Sequence, residues 1–195
     1  VIGNQIRKTG DTGSVIHYGG DHYGSSPGAL WGEPIYRKGT LHLQHNTFQL
    51  GGKTAWLLQL STTEETAEGR GNIVIDADSV TQRNLRMSQQ VGTGWTSGGI
   101  VNLGINWVSS GWQDSDIWHP VPGQLNGTAA LISGSSAPID LATWIPLAGS
   151  AVIDAAAPWP LVLAGHEPVW QLDASGRAQP RSIVGSARDL GSVER

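Results

Sequence analysis

Short runs in which apolar and polar residues alternate recur along the first half of the chain, and a period of two is typical of half-buried β-strands. Four of these runs share a further feature, an asparagine that an apolar residue follows two positions later. The four asparagines are Asn4, Asn46, Asn72 and Asn106. Repetition of one short unit predicts stacked units, because a single unit cannot bury its own apolar face.

The spacing of the repeat predicts where it varies. Successive asparagines are 42, 26 and 34 residues apart. A second alternating run, centred on Ile16, Leu58 and Leu85, follows each of the first three at a nearly constant distance. The variation therefore lies in residues 19–38 and 90–98. We expect these two insertions to leave the same turn of successive units and to protrude side by side, where repeat proteins commonly bind ligands.

The asparagines themselves are predicted to be structural. An asparagine side chain carries both a donor and an acceptor, so stacked amides can bond to the amides above and below them. Asparagine also tolerates the left-handed backbone that a sharp corner requires. We therefore expect Asn4, Asn46, Asn72 and Asn106 to form a column at one corner of the stack.

Composition narrows the class of protein. The chain has 195 residues, 27 glycines, 10 prolines and no cysteine, which favours one turn-rich domain with little helix and no thiolate site. A net charge of −4 with only 14% charged residues argues against a nucleic-acid partner. No apolar run approaches the roughly 18 residues that a membrane span needs, so no membrane partner is expected.

Two groups of segments resemble a known family. Residues 41–48 (LHLQHNTF) and 1–6 (VIGNQI) resemble the strand-and-asparagine corner of right-handed parallel β-helix proteins of the pectate-lyase-like superfamily. Residues 149–155 (GSAVIDA), 173–177 (DASGR) and 189–194 (DLGSVE) are similar to the closing segment of many bacterial extracellular β-helix proteins.

The resemblance implies an all-β fold: a right-handed parallel β-helix over residues 1–118, closed by an irregular C-terminal cap over residues 119–195. In that cap, acidic residues and arginines are expected to form a capping network rather than a reaction centre. They are Asp154, Asp173, Arg177, Arg181, Asp189 and Glu194. Because Val1 enters a coil at once, we also expect a partner that is the N-terminal remainder of the same β-helix.

The resemblance also implies a function class. It favours a secreted, periplasmic or cell-surface module that binds polysaccharide or glycan, with acidic polysaccharide as the ligand and lyase-type elimination as the reaction. Parallel β-helices serve many functions, so two alternatives stay open. One is a non-catalytic structural or glycan-binding β-helix, such as a surface protein or spike. The other is a fragment whose active site lies on missing N-terminal coils.

Candidate catalytic residues follow from the alternation. Counting back from the asparagines puts His42, Glu68 and Arg70 on the outward face of neighbouring strands. In β-helix lyases of acidic polysaccharides a basic residue removes the proton next to the uronate carboxylate while cations neutralise that carboxylate, and these three residues suit such chemistry. A solvated outer face with charge pairing between strands is the alternative.

A second outward row borders the predicted insertions, and tryptophan rings within the insertions suit stacking on sugars. The candidate substrate-binding residues are His17, Asp21, Trp31, Gln59, Arg86 and Trp95. The same tryptophans could instead pack the insertions onto the coils.

The sequence does not identify a metal site. His17, Asp21 and His22 match no ligand spacing of a known metal site. The aspartate pairs at 76 and 78 and at 114 and 116 have oxygen ligands suited to calcium but lack a full calcium loop, and turn formation is the alternative. Calcium stays open as a cofactor.

Overall fold

The computed structural model describes residues 1–10, 14–19, 38–51, 56–60, 65–77, 86–88, 100–112 and 125–195. Within these ranges the chain forms fourteen short strands, and the helical elements are two 3₁₀ turns at Thr128–Ala130 and Leu161–Leu163. The prediction of an all-β chain with little helix is therefore confirmed. No helix in the described ranges has the length and apolarity needed to cross a membrane.

The strands are β1 (Gln5–Lys8), β2 (Ser14–Tyr18), β3 (Gly39–Gln44), β4 (Thr47–Leu50), β5 (Trp56–Leu60), β6 (Glu65–Arg70), β7 (Ile73–Asp76), β8 (Arg86–Ser88), β9 (Val101–Leu103), β10 (Asn106–Ser109), β11 (Leu125–Asn126), β12 (Leu131–Gly134), β13 (Trp170–Leu172) and β14 (Ala178–Pro180).

Twelve of these strands form three parallel sheets, which the chain visits in rotation. Sheet A has the order β3-β6-β9-β11, sheet B the order β1-β4-β7-β10-β12, and sheet C the order β2-β5-β8. Strands β3, β4 and β5 contribute one strand to each sheet in turn, and β6, β7 and β8 repeat the path one position further along. Each such set of strands is called a layer below.

Apolar side chains fill the inside of the layers. In β4, Phe48 and Leu50 alternate with Thr47 and Gln49, and alternation sends the two pairs to opposite faces of the sheet. Phe48 and Leu50 belong to the inner core, together with leucines of β5 and valines of β7, β9 and β10. Thr47 and Gln49 are also buried, because the C-terminal segment covers the outer face of sheet B.

The predicted insertions connect sheet C to sheet A at equivalent points. Residues 19–38 separate β2 from β3, and residues 89–100 separate β8 from β9, whereas only four residues separate β5 from β6. The expectation of one shared turn therefore agrees with the strand order. The bodies of both insertions, and with them Asp21, Trp31 and Trp95, lie outside the described residues.

The tail after β12 runs along the outer face of sheet B. Ile139, Val152 and Leu190 form a second apolar cluster with Ile73 and Trp107 of that face. The boundary predicted at residue 118 falls in 113–124, outside the described residues, and stays a prediction. Beyond it β11 and β12 still pair with β9 and β10 in parallel, so the sheets continue into the predicted cap region.

Candidate functional site

The four corner asparagines form a continuous column where the chain passes from sheet A to sheet B. Asn4 Nδ2 donates to Asn46 Oδ1 (3.1 Å), Asn46 Nδ2 to Asn72 Oδ1 (2.9 Å), and Asn72 Nδ2 to Asn106 Oδ1 (2.9 Å). The backbone N–H of each donor asparagine bonds to that same Oδ1. The column satisfies polar groups that burial would otherwise leave unpaired, and it holds neighbouring strands in register.

The residue before each of the first three asparagines has a positive φ, at Gly3, His45 and Gly71. Glycine suits this conformation, but His45 must adopt it with a full side chain. His45 is 3% exposed, its ring stacks on Trp159 at 5.6 Å, and its Nδ1 donates to the carbonyl of Asp189 at 3.2 Å. Burial, with the nearby arginines second, lowers the pKa of His45 to about 3, so the ring is neutral at neutral pH.

The outer face of sheet A is the polar surface that carries the predicted catalytic residues. His42 of β3 and Glu68 of β6 are register partners, and His42 Nδ1 lies 3.5 Å from Glu68 Oε2. Both side chains are about one-quarter exposed, at 23% and 28%. The 3.5 Å separation is too long for a good hydrogen bond, and His42 Nδ1 is itself buried without a hydrogen-bond partner among the described residues.

The same row continues across the next two strands. Glu68 is in register with Asn102 of β9, and Asn126 of β11 donates from Nδ2 to Asn102 Oδ1 at 3.1 Å. Two residues before His42 and Glu68 on the same two strands, the hydroxyls of Thr40 and Thr66 lie 2.9 Å apart. Adjacent strands are about 4.8 Å apart, so the face presents rows of hydrogen-bonding groups at the strand repeat.

Arg70 lies on this face, two residues along β6 from Glu68. It is exposed, and its side chain extends over Gly104, where an added Cβ would lie 3.0 Å from the Arg70 Cγ. Its guanidinium makes no hydrogen bond or ion pair with the rest of the described chain. The structure thus puts Arg70 on the surface with His42 and Glu68 but points it toward the next layer.

Gln44, the register partner of Arg70, differs from expectation. The alternation predicts an outward, solvated side chain, yet Gln44 is fully buried. Neither of its amide atoms has a hydrogen-bond partner among the described residues. The solvent-exposed polar surface of sheet A therefore does not include Gln44, although the alternation predicts that it does.

The predicted outward row of His17, Gln59 and Arg86 is wrong at Arg86. His17 and Gln59 are register partners, but the partner of Gln59 on β8 is Ser88, because a register shift pairs Arg86 with Trp56 instead. Gln59 is also 6% exposed rather than open to solvent. In the same strand Met87, not Leu85, is in register with Leu58. The binding role predicted for His17, Gln59 and Arg86 stays a prediction.

The predicted capping network is centred on a buried ion pair in the tail. Arg181 Nε and Nη2 donate to Glu194 Oε1 at 2.8 and 2.6 Å, and Glu194 Oε2 accepts from the N–H of Asp189. Asp189 in turn accepts from the N–H groups of Asp154 and Arg195. Burial raises the pKa of Asp189, and the like charge of Glu194 acts in the same direction. Burial lowers the pKa of Arg181, against the opposite charge of Glu194.

Two members of the predicted network belong elsewhere. Asp173 Oδ1 accepts from the N–H groups of Ser175 and Arg177 and so closes the turn between β13 and β14. These hydrogen bonds, with the Ser175 hydroxyl first, hold the pKa of Asp173 below its ordinary value. Arg177 enters this turn through its backbone.

In the part of the chain that the structure describes, no three or more histidine, aspartate or glutamate side chains converge as a metal site would require. Comparison of the chain with protein-family models, curated proteins and solved structures finds no match. Asn126 and Thr66 are surface residues that the repeat pattern did not single out. Strand pairing could have identified both, since Asn126 pairs with Asn102, the register partner of Glu68, and Thr66 lies two residues before Glu68 on β6.

Proposed function

We propose that this chain is a right-handed parallel β-helix module of a secreted, periplasmic or cell-surface protein, and that it binds an acidic polysaccharide along the outer face of sheet A. The rotation of the chain through three parallel sheets supports the β-helix. The single observation that carries the ligand is Arg70, an exposed guanidinium with no partner in the described chain beside rows of hydrogen-bonding side chains.

The chemistry of the face suits a uronate polymer. A guanidinium binds a carboxylate through two parallel hydrogen bonds, which makes Arg70 the anchor for one uronate group. The amides of Asn102 and Asn126 and the hydroxyls of Thr40 and Thr66 can exchange hydrogen bonds with sugar hydroxyls. An extended polymer lying across the strands would meet a new row of such groups at each layer.

Elimination is a second candidate function, and the placement of His42 favours it. His42 would remove the proton next to the uronate carboxylate, and the electron pair left on that carbon would expel the glycosidic oxygen with formation of a carbon–carbon double bond. Arg70 would neutralise the carboxylate, the departing oxygen would take a proton from water to leave a new chain end, and His42 would return its proton to the solvent. Glu68 would orient the His42 ring.

The test is binding to uronate polymers, such as polygalacturonate and alginate, with a neutral glucan as control. We expect binding that weakens with salt and is about tenfold weaker in Arg70→Ala, because one charge-assisted contact is lost. Arg177→Ala removes the same charge from the β13–β14 turn and should bind normally. Equal affinity of the wild type and Arg70→Ala, or no affinity for any uronate polymer, would contradict the proposal.

The same samples separate catalysis from passive binding. Elimination gives an unsaturated product that absorbs in the ultraviolet, so turnover appears as rising absorbance that His42→Ala and Arg70→Ala abolish. Binding without product on any polymer would favour the non-catalytic glycan-binding or structural β-helix. Product formation that survives in both variants would place the chemistry outside this face.

A further inference from the structure

One asparagine of the chain is followed directly by glycine. The residues that follow the seven asparagines are, in order, glutamine, threonine, isoleucine, leucine, leucine, tryptophan and, after Asn126, Gly127. The backbone nitrogen of the next residue can attack an asparagine side chain, and a side chain on that next residue hinders the attack. The attack therefore meets the least obstruction at Asn126–Gly127.

The fold requires glycine at position 127. Gly127 has a φ of 78° and lies between β11 and the 3₁₀ turn Thr128–Ala130, in a backbone conformation that other residues rarely adopt. A Cβ added at Gly127 would also overlap the carbonyl oxygen of Leu103 on β9. Both constraints exclude the larger residues that would protect Asn126, so the packing of β11 on β9 maintains the reactive dipeptide.

The reacting groups are accessible. Asn126 and Gly127 are both exposed to solvent. Asn126 Nδ2 donates to Asn102 Oδ1 at 3.1 Å, on the outer face of sheet A. The N–H of Gly127 makes no backbone hydrogen bond with the residues that the structure describes. Hydroxide can therefore remove the Gly127 proton without first breaking such a bond.

The strand that holds Asn126 is short and lies at one end of its sheet. Among the described strands, β11 has two residues and pairs with β9 alone. Ring closure requires rotation about the Cα–C bond of Asn126, away from the extended backbone. Few ladder bonds oppose this rotation in β11, because segments with few contacts open locally at low cost. The strand therefore protects Asn126 less than a central strand such as β6 would.

We propose that Asn126 is a site of spontaneous deamidation. The nitrogen of Gly127, after losing its proton to hydroxide, bonds to Cγ of Asn126. The Cγ–Nδ2 bond breaks, and Nδ2 leaves as ammonia with a proton from water. A second water opens the resulting succinimide ring. Opening at Cγ gives aspartate, whereas opening at the backbone carbonyl gives isoaspartate, in which the chain continues through the side chain.

The modification changes the outer face of sheet A. It replaces the amide that donates to Asn102 by a carboxylate, which can only accept, so the Asn102 amide must turn over to restore the contact. It also adds one negative charge to the row that contains Glu68. Under the proposed function this charge would weaken uronate binding, but the reaction itself depends on no ligand, and the two proposals can fail separately.

The test is incubation of the full, folded chain in mildly alkaline buffer, followed by digestion and mass spectrometry of the peptides. Deamidation replaces an NH₂ group by OH and raises the mass of a peptide by one unit. We expect the peptide that contains Asn126 to gain this mass first, at a rate that rises with hydroxide concentration, and to give both aspartate and isoaspartate. Peptides that contain Asn72 or Asn106 should keep their mass over the same period.

Two controls separate the fold from the intrinsic chemistry. Asn126→Gln keeps the donor amide but would have to close a larger ring, so this variant should stay unmodified at residue 126. A synthetic peptide with the sequence of residues 122–131 (PGQLNGTAAL) gives the rate without the fold.

Two results would overturn the proposal. The first is conversion of the synthetic peptide without conversion of the folded chain, which would mean that β11 protects Asn126; this comparison requires no variant to fold. The second is conversion of the other asparagines of the folded chain as fast as Asn126, which would mean that neither Gly127 nor the position of β11 matters.

Discussion

At the residue scale, the corner of each layer decides which side chains are tolerated. The asparagines satisfy one another through one side-chain atom that accepts two bonds, and the residue before each of the first three takes a left-handed backbone. His45 is the exception, because a large ring occupies a conformation that Gly3 and Gly71 adopt in the neighbouring layers. Because His45 is buried between the tail and the corner, its protonation affects the stability of the fold.

We predict that His45 makes the fold acid-sensitive. The pKa of His45 is about 3 in the folded chain and near 6.5 when unfolded, so the unfolded state binds the proton first as the pH falls. The free energy of unfolding should therefore decrease from pH 6.5 toward pH 3, by up to about 1.4 kcal/mol per pH unit.

Urea denaturation from pH 7.5 to 4 measures this slope, with His45→Asn as the control. Asparagine tolerates the left-handed backbone but does not titrate, so this variant should lose less stability on acidification than the wild type. The raised pKa of Asp189 acts with the opposite sign, because the folded state gains its proton first, and it is common to both proteins. Identical slopes would contradict the role of His45.

At the element scale, the turn from sheet A to sheet B is constant and the turn from sheet C to sheet A is variable. The first is fixed by the asparagine column and by close packing, since a Cβ added at Gly71 would lie 2.8 Å from His45 Nε2. The second ranges from 4 residues between β5 and β6 to the 19–38 segment between β2 and β3.

We predict that Gly71→Ala costs more stability than Gly39→Ala, although both glycines have a positive φ (69° and 85°). Alanine at Gly39 meets nothing within 4 Å and should cost about 1 kcal/mol for the backbone alone. Alanine at Gly71 adds the contact with the His45 ring and should cost about 3 kcal/mol. Chemical denaturation of the two variants measures the difference, and equal costs would mean that the ring moves aside freely.

At the scale of the whole molecule, the tail joins distant layers. The carbonyl of Leu141 accepts from Arg7 of β1 and Gln49 of β4, and Ser192 bonds to Thr47 through its N–H and hydroxyl. The buried pair of Arg181 and Glu194 holds the last residues in the shape that makes these contacts. The tail thus stabilises the outer face of sheet B.

We predict that Arg181→Met destabilises the chain by about 3 to 5 kcal/mol, because it leaves the carboxylate of Glu194 buried without its partner. The double variant Arg181→Met with Glu194→Gln should recover part of this loss, since the glutamine oxygen can still accept from the N–H of Asp189. Denaturation midpoints of the wild type, both single variants and the double variant complete the cycle. A double variant that is less stable than the single variant Arg181→Met would contradict this account.

The sequence by itself determined the all-β class, the asparagine column and the position of the insertions, because these depend on a period of two and on a repeated side chain whose donor and acceptor match its own copies. The contact of His42 with Glu68 was also predictable, since both residues stand four positions before an asparagine. Only the tertiary structure decided the register of β8, where a local shift replaces Arg86 by Ser88 beside Gln59. It also decided which outward residues are buried, because burial of Gln44, Thr47 and Gln49 depends on contacts between segments far apart in sequence, which no local pattern encodes.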